Sequence, residues 1–285
     1  MNVLNLDTQF SPVKGNIVTC EKFVFSGGEP HIKIQADLDI HQPLIITTRI
    51  RSFEDIGFLV LAVDALKRMQ VKHISAFIPY FPAARQDRLM VAGEPLSVKV
   101  NADIINSLEL DRIYVFDPHS EVTPALLNKV SVVYNYDFIE QVIAQMGREN
   151  LVLISPDGGA LKKIYKLSES LGGIPVIECS KVRDVATGKL KSFTVYADDL
   201  SGKQGLIVDD ICDGGGTFTG LAQSLKEKGI GRLNIAVSHG IFSKGLEVLR
   251  PWFDTLYTTD SFKDIGEEGL VQIRLDITKT VNHEQ

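Results

Sequence analysis

Short apolar runs rich in valine and isoleucine alternate along this chain with longer stretches whose apolar residues recur at helical spacing. That alternation builds βα units around largely parallel sheets, and it confines ligands to the carboxyl ends of the strands. Strands are expected at Pro43–Thr48, His73–Tyr80, Asp111–Asp117, Leu151–Ser155, Ile174–Cys179, Gly205–Asp209 and Leu233–His239. Helices are expected at Phe53–Met69, Ser97–Leu108, Phe138–Met146, Ala160–Leu171 and Thr217–Lys228.

A chain of 285 residues exceeds the size at which one core stops growing, so two domains of similar size are expected. The polar segment Met146–Asn150 separates a helical pattern from a fresh strand and sets the boundary, giving domains 1–147 and 148–285. Leu44-Ile45-Ile46 with its following helix parallels Leu206-Ile207-Val208 with its own. Duplication and the general likeness of βα units account for this equally well. The copies differ after the strand, where the first carries Thr47-Thr48-Arg49 and the second Asp209-Asp210 and a glycine loop.

The net charge of −6 means that a phosphate-bearing ligand must be held by a local positive site, and it argues against a nucleic-acid partner. Cys20, Cys179 and Cys212 are too widely spaced for a disulfide framework or a zinc site. The N-terminus lacks a basic region followed by an apolar stretch, and no apolar run approaches the roughly 20 residues of a membrane span. The expectation is a cytoplasmic protein without a membrane partner.

The strongest local signal is GLIVDDICDGGGTFTG, Gly205 to Gly220: an apolar strand, two carboxylates, then a glycine loop opening a helix. Backbone N–H groups of such a loop cradle phosphate, while Asp209 and Asp210 suit sugar hydroxyls or metal-bound water. No GK[ST] follows, and GxGxxG is absent, so this is neither a Walker loop nor a dinucleotide fingerprint. In the first half, Arg85, Gln86, Asp87 and Arg88 follow a strand with guanidinium forks suited to polyphosphate. Two further strands end in VFDPHSE, with Asp117 and His119, and in ISPDGGALKK, with Asp157 and two lysines. His119 and Asp157 are the candidate metal ligands, reaching one divalent ion from the two halves, with Mg²⁺ favoured by the phosphate chemistry. SKVRDVATGKLKS, Ser180 to Ser192, is polar and basic without apolar periodicity and is expected to be a mobile loop. His239 and Trp252 are expected in structural roles, and Cys212 has no partner to activate it.

Taken in order, FSGGE, RQDR, DPH, SPDGG, SKVR and DDICDGGGT resemble the ribose-phosphate diphosphokinase family across nearly the whole chain. The glycine loop by itself resembles that of type I phosphoribosyltransferases. The resemblance implies an α/β fold of two similar phosphoribosyltransferase-like domains, each a largely parallel sheet flanked by helices. It implies transfer of a diphosphoryl group from Mg-ATP to ribose 5-phosphate. Phe25 and Glu29 would line the adenine site from a neighbouring subunit, making the protein a homo-oligomer, a dimer or a hexamer of dimers. Arg85, Gln86, Asp87 and Arg88 would bind ATP, and His119 and Asp157 would serve the metal–phosphate site. Lys181 and Arg183 would be catalytic, on a mobile loop. Asp209 and Asp210, with Asp213, Gly214, Gly215, Gly216 and Thr217, would hold ribose 5-phosphate.

The chain departs from the family pattern at Gly27, where an acid usually follows Phe-Ser, at SPDGG, one residue short, and at Leu89 and Met90, where charge is common. Two other readings fit part of the pattern. A type I phosphoribosyltransferase explains the second half alone and leaves RQDR and DPH without a role. A non-catalytic regulatory subunit of the synthetase family leaves Lys181, Arg183 and His119 unexplained.

Overall fold

The computed structural model describes residues 1–35, 37–183 and 190–283. It divides into two compact units. Unit 1 comprises Met1–Tyr134 with the C-terminal stretch from Arg274, and unit 2 is Asn135–Ile273.

Unit 1 runs β1 (Asn2–Asn5), β2 (Asn16–Val18), β3 (Cys20–Val24), β4 (Pro30–Ile34), β5 (Leu44–Thr47), α1 (Phe53–Arg68), β6 (Ile74–Phe77), α2 (Ser97–Asn106), β7 (Arg112–Phe116), α3 (Val122–Leu126) and β8 (Val130–Val133). Six of these strands form a parallel sheet in the order β2-β1-β5-β6-β7-β8, and β3 and β4 pair as an antiparallel hairpin. Ser52 caps α1, accepting from the Asp55 amide while the Asp55 carboxylate accepts from the Ser52 amide. Ile56, Leu59, Val63 and Leu66 then recur at helical spacing and bury against Leu4, Ile46 and Ala76. Each such side chain contributes about 1.5–3 kcal/mol when fully buried.

Unit 2 runs α4 (Tyr136–Met146), β9 (Leu151–Ser155), α5 (Leu161–Ser170), β10 (Val176–Arg183), β11 (Leu190–Val195), β12 (Gln204–Cys212), α6 (Gly216–Glu227), β13 (Arg232–Gly240), β14 (Thr255–Thr259) and β15 (Leu270–Ile273). A final helix, α7 (Thr278–His283), belongs to unit 1. The sheet order is β11-β10-β9-β12-β13-β14-β15, parallel except for the β10–β11 pair. Ile154, Ile207, Leu221, Leu225, Leu233 and Ile235 fill its core.

The expected α/β class with largely parallel sheets is thus observed. The expected boundary at residues 147/148 differs from the structural one, because α4 packs on β13 and Asn135 donates to Ser238 Oγ at 3.3 Å. The polar Met146–Asn150 segment is therefore a turn inside unit 2. The C-terminal stretch rejoins unit 1 through Ile277 N donating to Pro12 O at 2.9 Å and the Lys14–Asp276 ion pair at 2.9 Å.

The expected Ser180–Ser192 loop is also corrected: β10 continues to Arg183 and pairs antiparallel with β11, with a register shift at Val182/Arg183. Polar side chains do not prevent a ladder when a partner strand satisfies the backbone. Residues 184–189 of that segment lie outside the described residues, and so does the side chain of Arg183. Among the described residues no helix is long and apolar enough to cross a membrane.

Candidate active site

In unit 2 the chain leaves β9 toward β10 on one side and returns as β12 on the other, so the winding reverses between β9 and β12. Ligands of open α/β sheets sit beyond the strand ends at that reversal. Asp157 stands there after β9. Its Oδ1 accepts from the amides of Gly159 at 3.0 Å and Ala160 at 3.2 Å, which folds SPDGG into a tight turn before α5. Its Oδ2 accepts from Lys181 Nζ at 2.6 Å. The extension of β10 beyond Cys179 is what delivers Lys181 to this point.

Asp209 and Asp210 lie within β12, which runs on to Cys212. Burial, repulsion by Asp210 and the nearby charge of Asp157 push the Asp209 carboxyl well above its ordinary range. Asp157, Asp209 and Asp210 are thus a cluster of acids, which Lys181 joins through its ion pair with Asp157 at 2.6 Å. After β12 the chain turns at Gly215, whose φ of 77° lies in the left-handed region, and enters α6 at Gly216. Asp213 and Gly214 precede that turn and Thr217 follows it. Burial, with Asp209 and Asp213 close by, pushes the Cys212 thiol up to about 12, so it is inert as a nucleophile. His239 is buried with Nδ1 2.8 Å from Ser261 Oγ, and Trp252 packs on the core, both in structural settings.

In unit 1 the RQDR and DPHS loops meet. Arg85, Gln86 and Arg88 are exposed, whereas the Asp87 carboxylate turns inward. It accepts from Arg88 Nε at 2.9 Å. This hydrogen bond, opposed by burial and helped by one from Ser120 and by the charges of Arg88 and His119, holds the Asp87 carboxyl below its ordinary value. His119 is exposed just after Asp117, a buried non-glycine residue with φ of 38° that turns the chain out of β7. Asp87 thus couples two loops instead of presenting its charge outward. Sequence reading missed Ser120, because a serine after DPH carries no periodic signal.

On the β3–β4 hairpin, Phe25 is exposed and stacks edge-on to Phe23 with ring centroids 5.0 Å apart. The turn closes through Phe25 N donating to Glu29 O at 2.9 Å. A Cβ on Gly27 would fall within 3.0 Å of the Glu29 carboxylate, so the glycine leaves room for Glu29 to fold back over the turn. Among the described residues no three His, Cys, Asp or Glu side chains are grouped to hold a metal ion unaided. His119 and Asp157 belong to different units, and each is positioned by its own loop.

A parallel sheet with two acids and a glycine turn at the winding reversal defines unit 2 as a phosphoribosyl transferase type of domain, and a family model so described matches residues 134–269. A second model, the N-terminal domain of ribose phosphate pyrophosphokinase, matches residues 11–108. The chain belongs to the ribose-phosphate pyrophosphokinase family. It is 33% identical over 228 residues to the ribose-phosphate pyrophosphokinase of Aquifex aeolicus, covering 77% of this chain and 70% of that one. It is 30% identical over 255 residues to that of Vibrio parahaemolyticus, covering 87% and 81%. The solved phosphoribosylpyrophosphate synthetase of Mycobacterium smegmatis superimposes with a TM-score of 0.78 at 25% identity, over 94% of this chain and 89% of that one.

Proposed function

We propose that the chain transfers the diphosphoryl group of Mg-ATP to the anomeric hydroxyl of ribose 5-phosphate, giving phosphoribosyl diphosphate and AMP. The observation that carries this reading is the strand-end cluster of Asp157, Lys181, Asp209 and Asp210 beside the Gly215 turn. Ribose 5-phosphate sits in the Asp213–Thr217 loop, where backbone amides face its phosphate, and Asp209 and Asp210 take its ring hydroxyls. ATP is gripped by Arg85, Gln86 and Arg88, with Asp87 holding Arg88 in position. Phe25 and Glu29 of a neighbouring subunit close on the base, which makes the protein a homo-oligomer.

The donor set fits Mg²⁺. That ion takes few protein ligands and keeps water and phosphate oxygens around it, which suits a site with no three-residue cage among the described residues. Asp157 is the residue of unit 2 that would hold it, with the crowded Asp209–Asp210 pair adding negative charge beside it. When bound it neutralises charge on the phosphate oxygens. Lys181 and Arg183 supply positive charge to the transferring group, and phosphoryl transfer needs such alignment and neutralisation more than covalent help.

The test is incubation with ATP, Mg²⁺ and ribose 5-phosphate. AMP appearing together with phosphoribosyl diphosphate is the expected result. ADP with a bisphosphorylated sugar would make this an ordinary kinase, and ATP binding without turnover would make it a regulatory subunit.

A further inference from the structure

The winding reverses in unit 1 as well. From β1 the chain goes to β2 on one side, and β5 lies on the other, so the reversal falls between β1 and β5. By the rule that locates the site of unit 2, a ligand belongs beyond the ends of these two strands. The residues there are Leu6, Asp7 and Thr8 after β1, and Thr48 and Arg49 after β5.

A cavity of about 130 Å³ occurs at that place, lined by Asp7, Thr48, Arg49, Arg51, Lys22 and Asp55 among others. This is room for about four water molecules, enough for a tetrahedral oxyanion and too little for a nucleoside. Three cations face two carboxylates across it. Arg49 is nearly fully buried and donates through Nε to Asp7 Oδ2 at 2.7 Å, with Phe10 beneath its guanidinium at 5.1 Å. Asp55 is engaged by the amides of Arg51 and Ser52, each at 2.9 Å. Asp7 is thus matched by Arg49, and Asp55 closes the helix start. The exposed Arg51, whose guanidinium lies 3.8 Å from Asp7 Oδ2, and Lys22, whose Nζ lies 4.9 Å above the Phe58 ring, bring positive charge to the cavity mouth, and the Thr8 and Thr48 hydroxyls bring donors. The composition is the reverse of unit 2, where carboxylates dominate the corresponding strand ends.

We propose that this pocket is a small-oxyanion site, separate from the strand-end site of unit 2, that takes a phosphate group free or as a phosphate monoester. Arg51 and Lys22 hold the anion, and the buried Arg49–Asp7 pair shapes the floor.

Hydrogen–deuterium exchange read peptide by peptide tests it, because it separates this pocket from the Asp213–Thr217 loop. Inorganic phosphate and, in a second arm, ribose 5-phosphate are titrated against sodium chloride of equal ionic strength. The expected result is slowed exchange in residues 6–8 and 48–55, with the apparent affinity for phosphate falling about tenfold or more in Lys22→Gln/Arg51→Gln, the scale of one lost charged hydrogen bond. Phosphate-dependent protection of 213–217 should survive that double substitution. Both positions are exposed, so the variant should fold, and an unchanged melting temperature without phosphate checks this. Protection by ribose 5-phosphate alone would identify the occupant as a monoester, still within the proposal. Protection confined to 213–217, an equal effect of chloride, or protection of 48–55 untouched by the double substitution would overturn it. None of these outcomes depends on turnover, so the site stands or falls apart from the proposed reaction.

Discussion

Lys181 Nζ lies 2.6 Å from Asp157 Oδ2, an ion pair between the extended end of β10 and the turn after β9. The two side chains retain 23% and 30% exposure, so the pair adds little stability and its interest is positional. It holds a cation beside the acids on which the proposed chemistry depends. Lys181→Ala should therefore leave the melting temperature nearly unchanged and cut kcat by at least roughly 100-fold, the scale of one lost transition-state donor. KM for ATP and ribose 5-phosphate should change little, because a charge acting chiefly at the transition state does not tighten substrate binding. Steady-state kinetics with both substrates decide the matter, and near-normal kcat, or a loss carried by KM alone, would sink the assignment.

Asp209 yields a pH dependence. Its carboxyl is raised well above 3.8, the ordinary value, so the folded form binds a proton more tightly than the unfolded form does. Stability from this group is fully present below the unfolded value and is lost as pH rises through the folded one. Without divalent ions, Asp209→Asn should melt higher than the parent at pH 8, and the gap should close toward pH 4. Mg²⁺ should stabilise the parent more at pH 8 than at pH 5 and do little for Asp209→Asn. Thermal melts across that range test both statements, and a gap independent of pH would contradict the first.

Much of this site could be read from the sequence because it sits where strands end. An apolar run closing on Asp209-Asp210 or on Ser155-Pro156-Asp157 declares both the strand and the position of its acids. Pairing that depends on distant partners was not legible. SKVR breaks the apolar pattern, so β10 was expected to stop at Cys179, and only the ladder with β11 carries Lys181 to Asp157. The inward turn of Asp87 depends on Ser120 and His119, and loops have no period that fixes which way a side chain faces. The return of the C-terminal stretch to unit 1 rests on contacts with Pro12 and Lys14, far away in sequence. Arg49 reads as a charge after a strand, yet Asp7 makes it one of the most buried side chains.

The β3–β4 hairpin exposes Phe23, Val24 and Phe25, at 41%, 43% and 53%, on a two-stranded element that cannot bury them alone. Light scattering of an active sample should give a mass of two chains or more. A mass of one chain at full activity would remove the neighbouring subunit from the proposed adenine site.

Cys212 lies in the site but should behave as an inert thiol. With its ionisation pushed up to about 12, it holds almost no thiolate at pH 8. Maleimide labelling of native protein followed by peptide mapping should find Cys212 unmodified until denaturant is added, and rapid native labelling would show that the loop opens.

Gly215 and Gly216 are neighbours with opposite tolerances. Gly215 has φ of 77°, and a Cβ there would approach Leu249 Cδ2 to 3.1 Å and Val248 Cγ2 to 3.2 Å. A side chain in the left-handed region costs about 1–2 kcal/mol before any crowding is counted. Gly216 opens α6 outside that region, and a Cβ there would meet nothing within 4 Å. Gly215→Ala should therefore lower the melting temperature by a few degrees and weaken ribose 5-phosphate, since the turn that aims the loop amides must shift. Gly216→Ala should melt like the parent. Calorimetric melts of the two variants, paired with KM for ribose 5-phosphate, test the argument. Equal stability of both would mean that the turn at Gly215 is not what shapes the loop.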